Sequence, residues 1–402
     1  MVQYSFEGFG TSLCWWANIK YPEEIKEQIL ELLFGETGLQ MNIVRYNLGG
    51  GHNKNVIQNM RPGGCVPCIQ NQDGTFDLNN DKLQVSILNE CIKKGVNKVE
   101  LFCNSPPWWM TESGLTNGNN KPWKTNLKID CTKEFVNLLV DSYKILSKQF
   151  PVVSIEPFNE PSNPFWSPKI NQEGCYYNYF TRNNVIKQVN ELCKEIPIVS
   201  CDESHSLFAF LGMFFLPNCI KRINIHGYNS FEFKKVKLNF FDWTIWRKLI
   251  KLFTNKPIWM SEFGMGYPDT IKDCLPLAKN IFRDLKTLKP TAWIYWQAVE
   301  NFGTNWGLLQ VDFNDPKVVV IKKQYYILKH FTRTLKEGDT YKFIDKNVLQ
   351  INENKFIILN DTNEPININI PGKTFTISNS NHDFYTLDYI KIVPRYSIVS
   401  IN

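Results

Sequence analysis

The most informative segment of the chain is Val153-Ser154-Ile155-Glu156-Pro157-Phe158-Asn159-Glu160-Pro161, which begins as a short apolar strand and ends in Asn-Glu-Pro. A strand that carries an Asn and a Glu at its carboxyl end places polar groups where a buried strand does not need them, and such departures are typical of functional sites. The same residues also fit a strand followed by an ordinary turn with a solvated Glu160. Which interpretation holds depends on how the rest of the chain folds.

Around this segment, short apolar runs alternate with helical patterns from the start of the chain to about residue 333. We count eight strand-then-helix units, of which the helix after Cys201 is the weakest. Repeated units of this kind predict a parallel sheet, and eight of them predict an α/β fold, a closed (β/α)8 TIM barrel of about 250 residues. The predicted strands are 7–10, 41–46, 98–103, 153–158, 198–201, 223–226, 257–261 and 291–296. The predicted helices are 23–34, 81–94, 132–150, 177–195, 242–253, 275–288 and 318–331.

From about residue 334 the pattern changes to short alternating runs, such as residues 366–370, separated by turn residues such as Pro371-Gly372. This pattern predicts a small C-terminal antiparallel β-sandwich. We therefore expect a catalytic barrel over residues 7–333 and a β-sandwich appendage over residues 334–402, with residues 1–6 as an added strand. The appendage has no obvious charged cluster, so we expect it to be structural, with carbohydrate binding as the alternative.

The composition favours carbohydrate over nucleic acid as a partner. Aromatic residues make up 14% of the 402 residues and include 12 Trp. Trp and Tyr pair an apolar face with a polar edge, which suits the CH face and hydroxyl rim of a sugar, although many of these rings also belong to the core. The 45 Lys and Arg residues exceed the 39 Asp and Glu residues only slightly and form no long basic run, so nucleic-acid binding is not expected.

The cysteines and the start of the chain indicate no metal site and no membrane segment. Cys65 and Cys68 form one CxxC among 11 irregularly spaced Cys, and no second pair stands at zinc-ribbon spacing. Residues 1–6 lack the basic and apolar regions of a signal peptide, and no stretch of about 20 apolar residues predicts a membrane span. We therefore expect a soluble protein, extracellular if a signal was trimmed and otherwise cytoplasmic.

In a barrel of this kind the carboxyl ends of the strands converge on one face, where active sites lie. Two carboxylates reach that face, Glu160 after the fourth strand and Glu262 after the seventh. A facing pair of carboxyl groups is what retaining glycoside hydrolysis requires, at a working separation of about 5–5.5 Å. The other candidates at these strand ends are Arg45, Asn104, Trp108, Asn159, His226, Tyr228 and Trp296.

The surroundings of the two carboxylates divide their roles. Glu160 fits the acid/base, which must begin protonated, and repulsion from an ionised Glu262 favours that state. Glu262 would then be the nucleophile, held ionised by Arg45 and oriented by Tyr228. Asn159 is placed to hydrogen-bond the sugar 2-hydroxyl, a contact that strengthens in the transition state.

Aromatic walls and a histidine complete the predicted pocket. Trp108 and Trp296 would stack against sugar rings. His226 fits equally a hydrogen-bonded structural histidine and a site residue. Taken singly, each candidate is more often solvated, ion-paired or packed than functional, and it is their joint placement that favours function.

Several segments together resemble family 30 of the glycoside hydrolases, a clan A family of retaining enzymes. They are Gly8-Phe9-Gly10-Thr11-Ser12, Arg45-Tyr46-Asn47, Asn104-Ser105-Pro106-Pro107-Trp108-Trp109-Met110, Phe158-Asn159-Glu160-Pro161, Ile225-His226-Gly227-Tyr228, Ser261-Glu262-Phe263-Gly264 and Trp296 with Asn305-Trp306-Gly307. The resemblance implies Glu160 as acid/base and Glu262 as nucleophile. It also implies pocket roles at Trp108, Asn159, Tyr228 and Trp296, and the last segment adds Asn305 as a candidate substrate-binding residue.

Within the family, residues 10–17 and 45–51 look most like the endo-β-1,6-galactanases. The resemblance thus implies an enzyme that cleaves β-1,6-galactan, an oligo- or polysaccharide substrate, and two carboxyls complete the chemistry without a metal or organic cofactor. A glucosylceramidase-like β-glucosidase is the alternative in the same class and would need an open apolar rim for its lipid. A non-catalytic carbohydrate-binding barrel is the alternative in another class and would be expected to lack one carboxylate.

Overall fold

A computed structural model describes residues 4–228, 232–233, 236–237, 244–370 and 374–402. Residues 1–3, the first two residues of the helix expected from 242, and the turn expected at Pro371-Gly372 lie outside the described residues. None of the helices within these ranges is long and apolar enough to cross a membrane.

Eight parallel strands form the sheet that the alternating pattern predicts. In chain order they are β1 (Gly8–Ser12), β2 (Ile43–Asn47), β3 (Lys98–Phe102), β4 (Val152–Glu156), β5 (Val199–Glu203), β6 (Arg222–His226), β7 (Ile258–Phe263) and β8 (Ala292–Gln297). The strands lie in the order β4-β3-β2-β1-β8-β7-β6-β5, and a parallel bridge between Ile155 and Ile198 brings β4 next to β5. The predicted (β/α)8 barrel is confirmed.

Helices follow the strands around the outside of the barrel. Within the described ranges they are α1 (Glu23–Phe34), α2 (Lys82–Lys93), α3 (Thr132–Leu146), α4 (Tyr179–Leu192), α5 (Ser206–Met213), α6 (Thr244–Phe253), α7 (Ile271–Thr287) and α8 (Lys323–Thr334). The predicted helices are present with shifted ends. Helix α7 begins earlier than predicted because the Thr270 side chain caps it, accepting a hydrogen bond from Asp273 N. Helix α8 begins later than predicted because residues 320–321 pair with residues 309–310 as strands.

The interior of the barrel changes from apolar to charged along the strands. Near the strand starts the interior holds a small apolar cluster of Ile43, Trp259, Ala292 and Ile294. Further along, Arg45 and Glu100 are buried and ion-paired, and Arg222, which begins β6, reaches Glu100 as a second buried cation. This charged layer contacts the carboxyl end of the barrel, because Arg45 also forms an ion pair with Glu262 near the end of β7.

The C-terminal residues form a six-stranded antiparallel sheet against α8. Its strands are, in spatial order, Tyr341–Asp345, Val348–Ile351, Lys355–Asn360, Ser397–Ile401, Phe375–Ser378 and Tyr385–Leu387. His330 of α8 is buried between Ser378 Oγ and Ser400 Oγ, each 2.9 Å from a ring nitrogen. Burial lowers the pKa of His330 to about 3, so the ring is neutral and serves the packing.

Some C-terminal details differ from the sequence prediction. The strand expected over residues 366–370 is limited to Ile366–Asn367, which pairs with Ile392–Val393 in a separate two-stranded sheet. Residues 4–6 form no strand, although Phe6 makes two backbone hydrogen bonds to residues 338–339. The division into a barrel domain and an appendage stays a prediction, and a single continuous core includes Leu349 and Ile398 together with the barrel helices.

The close approach of β1 to β2 requires glycine at position 10. A Cβ at Gly10 would lie 2.3 Å from the carbonyl oxygen of Ile43. We expect Gly10→Ala to lower the free energy of unfolding by about 2–3 kcal/mol, as overpacking typically does. Gly74→Ala is the control, because its φ is +87° but a Cβ there meets nothing within 4 Å, so we expect a loss of about 1 kcal/mol. Urea unfolding measures both variants, and equal losses of unfolding free energy in Gly10→Ala and Gly74→Ala would contradict the crowding at Gly10.

Candidate active site

Glu160, His226 and Glu262 meet at the carboxyl end of the barrel. His226 ends β6, Glu262 lies near the end of β7, and Glu160 follows β4. One carboxylate oxygen of each Glu and one ring nitrogen of His226 all lie within 4.8 Å of one another. The structure therefore brings together the two carboxylates that the sequence places on the fourth and seventh strands.

The loop after β4 is tied to neighbouring strands through its backbone. Glu160 N donates to Asp202 O over 2.9 Å, and Asn159 N donates to Cys103 O over 3.1 Å. Trp166 Nε1 donates to Glu160 O over 3.1 Å. Glu160 has a φ of 44°, in the left-handed region that costs a non-glycine residue about 1–2 kcal/mol. These hydrogen bonds hold that conformation and so fix the position of the carboxylate.

A buried arginine contacts three carboxylates from three different strands. Arg45 Nε donates to Glu100 Oε1 over 3.0 Å, Nη1 donates to Glu262 Oε2 over 3.3 Å, and Nη2 is hydrogen-bonded to Asp202. Burial raises the pKa of Asp202, but Arg45 and His226 outweigh burial and lower it to about 2. Asp202 is therefore ionised at neutral pH and places a fixed negative charge beneath the site.

His226 lies between these carboxylates and is fully buried. Its Nδ1 is 3.2 Å from Glu160 Oε1 and 3.4 Å from Glu262 Oε1, while Nε2 is 3.2 Å from Asp202 Oδ1. Burial lowers the pKa of His226, but Glu262 and Asp202 outweigh burial and raise it to about 10. The ring is therefore a positively charged imidazolium at neutral pH.

Glu262 is surrounded by hydrogen-bond donors although it is nearly buried. Tyr228 Oη donates to Glu262 Oε1 over 3.0 Å, and Arg45 Nη1 and the His226 ring lie 3.3 and 3.4 Å from its oxygens. Burial raises the pKa of Glu262 to about 7, and His226 and Arg45 limit that rise. Glu262 is thus a carboxyl group that titrates near neutral pH under the control of two neighbouring cations.

A cavity of about 660 Å³ opens at this point, in the size range of small-molecule sites. It is lined by the predicted site residues Asn159, Glu160, Tyr228, Glu262, Trp296 and Asn305. The remaining lining consists of Arg61, Gln172, Gly266, Glu300, Gly303, Thr304 and Trp306. Indole rings beside many hydrogen-bonding groups suit a sugar ring, which has an apolar face and polar edges.

The other predicted site residues lie behind or beside this cavity. Arg45, Asn104 and His226 are buried, and Asn104 Nδ2 donates to Asn47 Oδ1 over 3.1 Å. Trp108 is half-buried, packs edge-on against the next indole at a centroid distance of 5.8 Å, and is outside the cavity lining. Burial of Arg45, Asn104 and His226 favours positioning roles for them over direct contact with a sugar.

Of the site residues outside the set predicted from the sequence, four carry a charge or an aromatic ring: Asp202, Arg61, Glu300 and Trp306. Asp202 follows the apolar residues of β5 much as Glu160 follows β4, so a strand-end signal for it exists. Arg61 and Glu300 are separated by 239 positions and lie in segments without a regular pattern. Trp306 lies within a recognised segment, but only the structure shows that its ring faces the cavity.

Glu160, His226 and Glu262 also have the spacing of a three-ligand metal site. A histidine must be deprotonated at the nitrogen that binds a metal. The raised pKa keeps His226 protonated, with Nδ1 facing both carboxylates, so the cluster is better suited to controlling protons and charge than to binding a cation.

Known proteins share sequence and fold with this chain. The sequence signature of O-glycosyl hydrolase family 30 matches residues 3–204. An endo-β-1,6-galactanase of Hypocrea rufa is 28% identical over 368 residues, covering 83% of this chain and 73% of the relative. An exo-β-1,6-galactobiohydrolase of Bifidobacterium longum subsp. longum is 27% identical over 223 residues, covering 40% of this chain and 15% of the relative. A crystal structure of a conserved exported protein from Bacteroides fragilis has a TM-score of 0.84 at 18% identity, covering 100% of this chain and 98% of that one.

The charge on His226 predicts how the pKa of Glu262 responds to mutation. His226→Asn keeps a neutral N–H donor but removes a positive charge, and a nearby positive charge lowers a carboxyl pKa by about 1–3 units. We expect the pKa of Glu262, about 7 in the wild type, to rise by at least about one unit in the variant. An NMR titration with ¹³C-labelled glutamate side chains measures this shift.

The matched control is His382→Asn, since His382 lies in the C-terminal region beside Asn379 and outside the lining of the cavity. This variant should leave the titration of Glu262 unchanged. An unchanged or lowered Glu262 pKa in His226→Asn would contradict the assignment of His226 as an imidazolium.

Proposed function

The chain belongs to O-glycosyl hydrolase family 30 and is a glycoside hydrolase, and we propose that it cleaves β-1,6-galactan internally with retention of anomeric configuration. In this proposal Glu160 is the acid/base and Glu262 is the nucleophile. The observation that carries it is the spacing of the two carboxylates, one oxygen of each lying within 4.8 Å of one oxygen of the other. Retaining enzymes hold the two carboxyls about 5–5.5 Å apart, whereas inverting enzymes leave about 6.5–9.5 Å for a water molecule.

The contacts of each carboxylate support the division of roles. Arg45 and Tyr228 contact Glu262, and both favour the ionised form that a nucleophile needs, whereas protonated His226 contacts both carboxylates and does not distinguish them. The Glu160 side chain is 13% exposed, whereas the Glu262 side chain is 5% exposed. Glu160 Oε2 accepts a hydrogen bond from Asn163 Nδ2 over 3.2 Å. Greater access to solvent suits the residue that must exchange protons in each half of the reaction.

The reaction then proceeds in two displacements. A Glu262 oxygen attacks the anomeric carbon while Glu160 gives its proton to the glycosidic oxygen, which leaves with the electron pair of the broken bond. Glu160, now a carboxylate, takes a proton from water as the water oxygen attacks the anomeric carbon. The bond to Glu262 breaks, which returns both residues to their starting states and releases a sugar of unchanged configuration.

The choice of β-1,6-linked galactose is supported by the relatives, because the fold alone does not specify a sugar. Both named relatives act on β-1,6-linked galactose, one internally and one from a chain end. The endo-acting relative matches over 83% of this chain and the exo-acting relative over 40%. Internal cleavage is therefore the mode that we propose.

The cavity lining weighs against the two alternatives. Its described residues include the rings of Tyr228, Trp296 and Trp306 but no Leu, Ile, Val or Met, whereas a ceramide tail would need an open apolar rim. A binding protein without catalysis would not need a matched carboxylate pair. Here Glu160 and Glu262 both line the cavity, and Glu262 is supplied with donors.

Replacement of the nucleophile should abolish turnover. We expect Glu262→Gln to lower kcat on β-1,6-galactan by about 10⁴-fold or more, because the neutral amide cannot form the glycosyl-enzyme intermediate. Glu353→Gln, an exposed position in a C-terminal turn, is the matched control and should keep wild-type activity. Near wild-type turnover by Glu262→Gln would disprove the mechanism.

Product analysis of the wild-type enzyme tests the substrate separately. We expect galacto-oligosaccharides of mixed length from β-1,6-galactan and little release from β-1,6-glucan, xylan or glucosylceramide. Release of a single short product would indicate exo action. Cleavage of glucosylceramide alone would leave the mechanism intact and refute the substrate.

A further inference from the structure

Part of the cavity lining carries a charged pair and an exposed indole that the proposed mechanism does not use. These residues are Arg61, Glu300 and Trp306. We propose that they form a second subsite for the neutral sugar unit next to the one held at the carboxylates. Arg61 binds its hydroxyls, Trp306 stacks on its ring, and Glu300 positions Arg61. The inference rests on the proposed function, since it assigns two sugar units of one glycan to the same cavity.

Arg61 is anchored at one nitrogen and has donors to spare. Its Nη2 donates to Oε1 and Oε2 of Glu300 over 2.7 and 3.1 Å. The Arg61 side chain is 24% exposed and the Glu300 side chain 2%. Among the described residues no hydrogen bond or ion pair engages Nε or Nη1 of Arg61. Those N–H groups can therefore donate to sugar oxygens in a fixed fork geometry.

Glu300 is itself fixed by its surroundings. Thr304 Oγ1 donates to Glu300 Oε2 over 3.2 Å, and Val299–Asn301 pairs with Leu309–Val311 as short parallel strands. A Cβ at Gly307 would lie 2.8 Å from the Cβ of Glu300, so any larger residue at position 307 would displace Glu300. Glu300 thus acts through the guanidinium that it holds and is a positioning residue.

Trp306 presents a fixed ring to the cavity. The residue is 42% exposed, and a Cβ at Gly266 would lie 3.4 Å from Cδ1 and Nε1 of its indole, so the ring packs over that backbone. Gln324 Nε2 donates to Trp306 O over 3.1 Å and holds the chain in place. An indole that is packed on one side and exposed in a polar cavity suits the CH face of a sugar.

The charge of the lining favours a neutral sugar over an acidic one. Among the described lining residues the carboxylates are Glu160, Glu262 and Glu300, and the one cation is Arg61, which is already paired. A uronate or a sulfated sugar would place further negative charge beside Glu262 and Glu300 at a Coulombic cost, since these two are the carboxylates left when Glu160 is protonated for the first step. A second hexose of a galactan carries no charge and has hydroxyls for Arg61.

Two substitutions test the subsite with independent chemistry. Arg61→Lys keeps the charge but loses the planar fork, and Trp306→Ala removes the stacking surface. The assay compares kcat/KM for β-1,6-galactotetraose with that for 4-nitrophenyl β-galactoside, which contains one sugar. We expect the ratio of the two values to fall at least about tenfold in each variant, mainly through KM for the tetraose. Glu300→Gln should lower the same ratio by a smaller factor.

Arg283→Lys is the matched control. Arg283 is 22% exposed, contacts the fully buried carboxylate of Asp284, and lies outside this cavity lining, so its ratio should equal the wild-type value. A wild-type ratio in Arg61→Lys and Trp306→Ala would overturn the subsite. Equal losses on both substrates would also overturn it, because they would indicate a structural role.

The wild-type enzyme separates a failure of the subsite from a failure of the proposed function. If it cleaves β-1,6-glucan or xylan instead of galactan, the galactanase proposal is refuted. The kcat/KM ratio is then measured in Arg61→Lys and Trp306→Ala with the tetrasaccharide and the 4-nitrophenyl glycoside of the glycan that is cleaved. A wild-type ratio, or equal losses on both substrates, would again overturn the subsite.

Discussion

The guanidinium of Arg45 lies inside the barrel among the carboxylates of Glu100, Asp202 and Glu262, and the geometry of the site depends on it. These carboxylates come from β3, β5 and β7, so one side chain joins three separate strands. Charges in so dry a place are tolerated only when they are paired, and removing one partner of a buried pair typically costs about 3–5 kcal/mol. The barrel and the site therefore share this interaction.

Asp202 links this charged layer to Glu160 and His226. Its side chain contacts Arg45 and His226 and its backbone oxygen accepts the N–H of Glu160. His226 in turn lies against both Glu160 and Glu262. Position and charge state are thus set together, because the atoms that hold the two carboxylates in place also supply the fixed charges around them. Such a site spends folding stability on buried charge in return for a defined arrangement.

The sequence predicted the repeating fold and the two carboxylates, since both follow from local signals. Strand and helix periodicity identifies the barrel, and an Asn-Glu or Ser-Glu pair at a strand end marks a polar group in an unusual place. Asp202 directly follows the predicted end of β5 at residue 201, but only the structure shows its contacts with Arg45 and His226, so the sequence did not single it out. The Arg61–Glu300 pair has no local signal, because its members meet only once the barrel has closed. In the C-terminal sheet, Phe375–Ser378 alternates apolar and polar residues over four positions, but all four are buried, so its polar positions do not mark a solvent-facing side.

In the proposed mechanism Glu262 forms a covalent bond to the sugar, while Glu160 donates and accepts the proton. The most direct test is mass spectrometry of the enzyme after incubation with 2-deoxy-2-fluoro-β-galactosyl fluoride, in which slow hydrolysis lets the intermediate accumulate. If Glu262 is the nucleophile, one fluorogalactosyl group per chain is found, located on the peptide that contains Glu262. A label on the Glu160 peptide, or no label on an enzyme that hydrolyses β-galactosides, would contradict it.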